Sequence, residues 1–215
     1  MKSVIFDFDS TLVSCESLDL MMEKKLSTSE RIEYQAITEK GMNGECSFNE
    51  SLQQRLSFCA PTKDDVLHFS KLIFSWITPE FDLLIKSLQA KSIQIWILSG
   101  GLRDIILPFA EKLAIPSERV CAVELSWNDD GTFSAIDNSN GFATSKVEGI
   151  KKLQTSWDGE SCAVGDGITD YAIYKEGFVD DFVAFTMHKR REVLLQKINK
   201  EARSVQELRE YLLGN

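Results

Sequence analysis

The chain has 215 residues, 43% hydrophobic and 27% charged, with a formal net charge of −9. This composition fits one soluble globular core, alone or with a small insert. The acidic balance argues against a nucleic-acid partner, which needs a basic face, and no apolar run reaches membrane-spanning length. The chain opens on a strand pattern rather than a signal peptide. Five cysteines (Cys15, Cys46, Cys59, Cys121 and Cys162) lack paired spacing, so reduced, mostly buried thiols and a cytoplasmic setting are expected. His68 and His188 stand far apart in sequence and give little support for zinc or a Ser-His-Asp triad; His68 is expected on a helix and His188 in solvent.

Taken in order, the apolar run beginning at Val4 predicts a buried strand. Helical spacing follows over Ser17–Leu26, Ser29–Lys40 and Ser47–Phe58, and Thr62-x-x-Asp65 predicts the start of a fourth helix. Pro79 opens a helix to about Gln89, and Ser92–Leu98 reads as a second strand. Leu102–Ala114 reads as a helix that Pro116 stops. Val120–Trp127 and Thr132–Ile136 predict a hairpin around Asn128-Asp129-Asp130-Gly131. Thr144–Gln154 is helical, Ser161–Val164 a short strand, Ile168–Lys175 a helix and Asp181–Phe185 a last strand. Ser204-x-x-Glu207 caps a C-terminal helix. Strand–helix alternation implies an α/β fold with a doubly wound parallel sheet. The all-helical block over 14–75 reads as a small helical cap inserted after the first strand, leaving 1–13 and 76–215 as the core.

The chemistry concentrates where strands end. Asp7 and Asp9 close the first apolar run, and a charge there is costly unless it is paired or binds a cation. One such carboxylate can attack phosphorus, and the other can protonate a leaving alcohol and then activate water. A calcium loop fails, because the glycine and glutamate that it needs fall on Leu12 and Leu18. Ser99-Gly100-Gly101 offers a hydroxyl and N–H groups to phosphate oxygens, although a plain glycine-rich turn has the same composition. Lys146 lies in the first turn of a helix, where a cation is disfavoured, which hints at an anionic partner; a solvated lysine is the alternative. Gly165-Asp166-Gly167-Ile168-Thr169-Asp170 brings two more carboxylates to the same sheet edge, or forms an ordinary Asp-Gly turn. The combination is more specific than any part, since these groups converge only in a parallel sheet.

Asp7-Phe8-Asp9-Ser10-Thr11, Leu98-Ser99-Gly100-Gly101, Lys146 and the Gly165–Asp170 segment together resemble the four ordered motifs of the haloacid dehalogenase superfamily. Glu16, the segment Met42–Phe48 and Arg55 resemble its phosphoserine-hydrolysing branch, over nearly the whole chain. The resemblance implies a Rossmann-like core with a helical cap, and Asp7 as nucleophile with Asp9 as general acid and base. It also implies Mg²⁺ held by Asp7, the Asp9 backbone carbonyl and Asp166, with Asp170 in support. Ser99, Gly100, Gly101 and Lys146 would hold the phosphoryl group. Glu16, Met42, Asn43, Phe48, Arg55 and Thr169 would bind the rest of the substrate, Glu16 meeting an ammonium and Arg55 a carboxylate. The implied activity is Mg²⁺-dependent hydrolysis of O-phospho-L-serine through an aspartyl-phosphate, as the last step of serine biosynthesis. A phosphatase or phosphotransferase for another small phosphate ester is the alternative, and a monomer or homodimer is expected. Asn43 stands where the family usually has glycine, and Thr144-Ser145 replaces a glycine-containing approach to Lys146.

Overall fold

A computed structural model describes residues 1–23, 25–42, 45–153, 157 and 159–214, without the side chains of 41 and 42. Its strands are β1 (Ser3–Phe6), β2 (Gln94–Leu102), β3 (Val120–Trp127), β4 (Phe133–Asp137), β5 (Ser161–Gly165), β6 (Asp181–Phe185) and β7 (Glu201–Ala202). They form one sheet in the order β4-β3-β2-β1-β5-β6-β7. Every pairing is parallel except the β3–β4 hairpin. The chain winds outward from β1 in one direction and then in the other, so the switch point lies at β1. β1 and β5 are buried throughout, which is why both read as unbroken apolar runs.

Helices α1 (Ser17–Glu23), α2 (Thr28–Met42), α3 (Phe48–Cys59) and α4 (Lys63–Leu72) lie between β1 and β2. Capping boxes at Ser47/Glu50 and Thr62/Asp65 start α3 and α4 by satisfying N–H groups that the helix leaves open. The chain leaves and re-enters the sheet region through adjacent bonds: Ser14 N–H donates to Trp76 O at 2.8 Å and Thr78 N–H to Leu12 O at 2.9 Å. α2 packs on α3, whereas α4 packs on α6 (Arg103–Lys112). α5 (Phe81–Ala90), α7 (Lys146–Leu153), α8 (Ile168–Lys175), α9 (Glu192–Leu195) and α10 (Val205–Leu213) complete the helices. Phe6, Phe81 and Phe185 stack edge-on through the core at 5.5 and 5.4 Å, a favoured aromatic geometry.

The structure departs from the sequence reading at several points. β2 does not stop at Leu98. Leu98 pairs with Cys121 and Leu102 with Val123, so Ser99-Gly100-Gly101 bulges out of the ladder within the strand. Asp181–Phe185 is not the last strand: Glu201–Ala202 adds a two-residue edge, too short and too charged to announce itself. His188 is not simply solvated; its Nε2 lies 2.8 Å from Thr78 Oγ1, its ring meets Phe185 edge-on, and burial lowers its pKa. All five cysteines are free, but only Cys121 and Cys162 are buried. His68 is exposed on α4, and Gln154 lies outside the described residues.

Candidate active site

At the end of β1 the backbone forms one wide turn over Phe8–Leu12 that turns the aspartates toward the sheet edge. Ser10 adopts φ 54°, a left-handed conformation that costs a non-glycine residue energy. It is held there by its N–H donating to Cys15 O at 3.1 Å and its hydroxyl donating to Glu16 Oε1 at 2.8 Å. Such stored strain is characteristic of sites where a side chain must be aimed.

Asp7 continues the ladder, its N–H donating to Val164 O at 2.9 Å. Its Oδ1 accepts from Phe8 N–H at 2.7 Å and from Lys146 Nζ at 2.5 Å. Lys146 Nζ also donates to Asp170 Oδ1 at 2.5 Å, and Asp170 Oδ2 accepts from Gly167 N–H at 3.0 Å. Lys146 is therefore buried in an ion-pair network rather than solvated, and the anions that offset its position at a helix start are side chains of this chain. Burial alone would discharge it, but Asp170 and Asp7 outweigh burial and raise its pKa above the usual lysine range. Gly165 is required here: a Cβ would lie 2.3 Å from Asp170 Cγ.

Asp7, Asp166 and Asp170 bring one oxygen each to within 4.8 Å of one another. Burial and the neighbouring Asp170 charge raise the pKa of Asp7 well above its ordinary value. Burial moves Asp166 to about 6 despite Arg191. Crowded, buried carboxylates that resist ionisation suit a hard divalent cation, and an all-oxygen donor set matches Mg²⁺. The Asp9 carboxylate is not part of this cluster. Its Oδ1 accepts from Ser17 N–H at 2.8 Å, and burial followed by the Glu16 charge moves its pKa to about 7.

The bulge of β2 brings Ser99 to the same place. Its Oγ accepts Gly101 N–H at 2.9 Å, which leaves its own proton available to an incoming oxygen. Phe48, the first residue of α3, lies over Gly100, where a Cβ would meet its ring at 2.8 Å. Asp7, Asp9, Glu16, Phe48, Arg55, Ser99, Gly100, Gly101, Lys146, Asp166, Thr169 and Asp170 all line one cavity of about 290 Å³. Thr169 is exposed at its rim. The Met42 side chain and Asn43 lie outside the described residues.

Three partners in this region were not anticipated. Arg191 donates to Asp166 Oδ2 at 3.0 Å. Lys189 Nζ lies 2.5 Å from Glu16 Oε1; burial raises the Glu16 pKa, but Lys189, with the Ser10 hydroxyl and Arg191, lowers it on balance. Asp19 Oδ1 accepts from Arg55 at 3.2 Å and from Tyr34 OH at 2.9 Å. A signal for the first two was present: the basic run Lys189-Arg190-Arg191 closely follows an apolar strand in an acidic chain.

Comparison with known proteins agrees with the fold. The family model for haloacid dehalogenase-like hydrolases matches residues 4–175. A chloroplastic phosphoserine phosphatase of Arabidopsis thaliana is 29% identical over 90% of this chain; the match spans 66% of that protein, just under two thirds of its length. The phosphoserine phosphatase of Bos taurus is 31% identical over 78% of this chain and 75% of its own. Among solved structures, a phosphoserine phosphohydrolase-like protein from Francisella tularensis superposes with a TM-score of 0.93 at 43% identity, covering 99% of this chain and 100% of that one. A substrate-bound phosphoserine phosphatase superposes at 0.74 and 26% identity, covering 98% and 97%.

Proposed function

We propose, from the premise that this chain belongs to the haloacid dehalogenase-like hydrolases, that it is a phosphatase hydrolysing O-phospho-L-serine to serine and phosphate. The observation that carries the chemistry is the convergence of Asp7, Asp9, Ser99, Lys146, Asp166 and Asp170 on one cavity at the sheet's switch point. The names of the relatives support the substrate, as does the presence in that cavity of one carboxylate, Glu16, and one guanidinium, Arg55.

Asp7 Oδ attacks phosphorus and displaces the serine alkoxide, forming an aspartyl-phosphate. Asp9 holds its proton near neutral pH and gives it to the leaving oxygen, then takes one from the water that cleaves the acyl-phosphate. Lys146 and the Ser99 hydroxyl hold the phosphoryl oxygens, so catalysis is mainly positioning and charge neutralisation. Asp7 and Asp166, with the Asp9 backbone carbonyl, would hold Mg²⁺, and Asp170 would steady that arrangement. The ion supplies charge neutralisation at the phosphoryl oxygens. The helical segment over 14–75 serves as a cap, with Phe48 closing over Gly100 to exclude water. Arg55 meets the substrate carboxylate, to which its planar fork is suited, and its buried Nε has no partner among the described residues. Glu16 meets the ammonium.

The test is steady-state phosphate release with Mg²⁺ from phosphoserine and a panel of small phosphate esters. A kcat/KM for phosphoserine at least tenfold above the panel is expected. Preference for another ester would keep the chemistry and discard the roles of Glu16 and Arg55.

A further inference from the structure

The two groups that would read the amino acid are both already engaged by charges of this chain. Glu16 lines the cavity, and its Oε1 is held by Lys189 Nζ at 2.5 Å. Arg55 lines the same cavity, and its guanidinium is held by the Asp19 carboxylate at 3.2 Å. An ammonium on Glu16 and a carboxylate on Arg55 are the charged ends of an amino-acid zwitterion. We infer that Lys189 and Asp19 are specificity-determining residues, internal stand-ins for the two ends of the substrate that compete with it for Glu16 and Arg55. This rests on the phosphoserine reading above.

A physical reason for such stand-ins is present in the site. Glu16 is half-buried beside Asp9, and an uncompensated carboxylate there repels its neighbour. Lys189 supplies the missing positive charge while the pocket is empty. A substrate ammonium that arrives at Glu16 meets either a carboxylate already neutralised or the like charge of Lys189 itself, and both weaken its binding. An ester without an amino group meets no such opposition. Lys189 therefore narrows the advantage of an amino-acid phosphate over its deaminated analogue. Asp19 does the same for the carboxylate end, where Tyr34 OH fixes its position at 2.9 Å. Neither residue touches the phosphoryl position, so the effect falls on KM rather than on kcat.

The experiment compares phosphoserine with two esters that each lack one charged end. One is 3-(phosphonooxy)propanoate, without the amine, and the other is O-phosphoethanolamine, without the carboxylate. In Lys189→Met, the ratio of kcat/KM for phosphoserine to that for 3-(phosphonooxy)propanoate is expected to rise about tenfold, through a lower KM for phosphoserine. Lys189→Arg, which restores a cation on Glu16, is expected to return the ratio to the wild-type value. Asp19→Asn is expected to raise the phosphoserine to phosphoethanolamine ratio, while Lys189→Met leaves that ratio in place because both esters carry the amine. Ratios that stay fixed or fall, in a wild-type enzyme that prefers phosphoserine, overturn the inference and keep the function. A wild type without that preference whose ratios still move in the variants loses the function and keeps the inference. No phosphoserine turnover in wild type and variants overturns both.

Discussion

Asp9 carries the proton of the proposed reaction, and its surroundings set the pH at which it can act. Burial and the Glu16 charge move its pKa to about 7, so it is protonated below that pH and able to serve as an acid. Activity toward an alkyl phosphate is therefore expected to fall as pH rises through about 7. Glu16→Gln removes a negative neighbour, lowers the Asp9 pKa and shifts that limb to lower pH. A pH profile of kcat/KM with 3-(phosphonooxy)propanoate, which has no amine for Glu16 to read, checks this, and a limb that does not move in Glu16→Gln would refute the coupling. Asp7→Asn keeps the shape but removes the nucleophile, so turnover is expected to drop at least a thousandfold with the circular dichroism spectrum unchanged. Asp7, Asp9, Lys146, Asp166 and Asp170 were legible because each lies beside a strand end or a helix start, and Ser99 because two glycines follow it at the close of an apolar run. Lys189 was not, because it reaches Glu16 across 173 residues of sequence through a loop whose path no local pattern predicts. The pairing of Asp19 with Arg55 was hidden for the same reason: it links α1 to α3, and neither helix's spacing reveals which face meets the other.

At the scale of elements, the site depends on how closely α8 returns to β5. Gly165 ends β5, and a Cβ there would overlap Asp170 Cγ at 2.3 Å, on the first turn of α8. Gly165→Ala would push Asp170 away from Lys146, and overpacking of this kind costs about 1–3 kcal/mol. Kcat is expected to fall at least a hundredfold, together with a lower Tm. Gly177→Ala is the control, because that glycine has φ +77° with open space around it. It incurs backbone strain of about 1–2 kcal/mol and leaves kcat within twofold of wild type. Equal kcat losses in the two variants would show that destabilisation, and not the position of Asp170, is responsible. The alternation of strands and helices was plain in the sequence because buried parallel strands are unbroken apolar runs. The bulge in β2 was read as the end of a strand, since glycines after an apolar run mark a turn and a bulge equally well. The edge strand β7 has two residues, one of them Glu201, and carries no periodicity to detect.

At the scale of the whole molecule, the carboxylate cluster places a stability cost at the centre of the fold. The raised pKa values of Asp7 and Asp166 mean that these groups favour folding at low pH, below their ordinary pKa, and lose that contribution as pH rises through their folded values, about 6 for Asp166. A cation bound by the ionised carboxylates reverses this, because metal and proton compete for the same oxygens. Mg²⁺ is therefore expected to raise Tm, and to raise it more at pH 8 than at pH 5.5. At about one hundred times its dissociation constant, a ligand that binds only the folded state adds about 2.7 kcal/mol. In a domain of this size that corresponds to about 5–10 °C. Asp166→Asn removes one ligand of the cluster and should abolish most of the Mg²⁺ increment, with Arg191 then lacking its carboxylate partner on that side. Differential scanning fluorimetry with and without EDTA measures the increment directly and needs no substrate. A Tm that ignores Mg²⁺ at both pH values, alongside full phosphatase activity in excess EDTA, would refute the proposed metal. A Tm increment of equal size at the two pH values would instead refute the competition between proton and cation at Asp7 and Asp166.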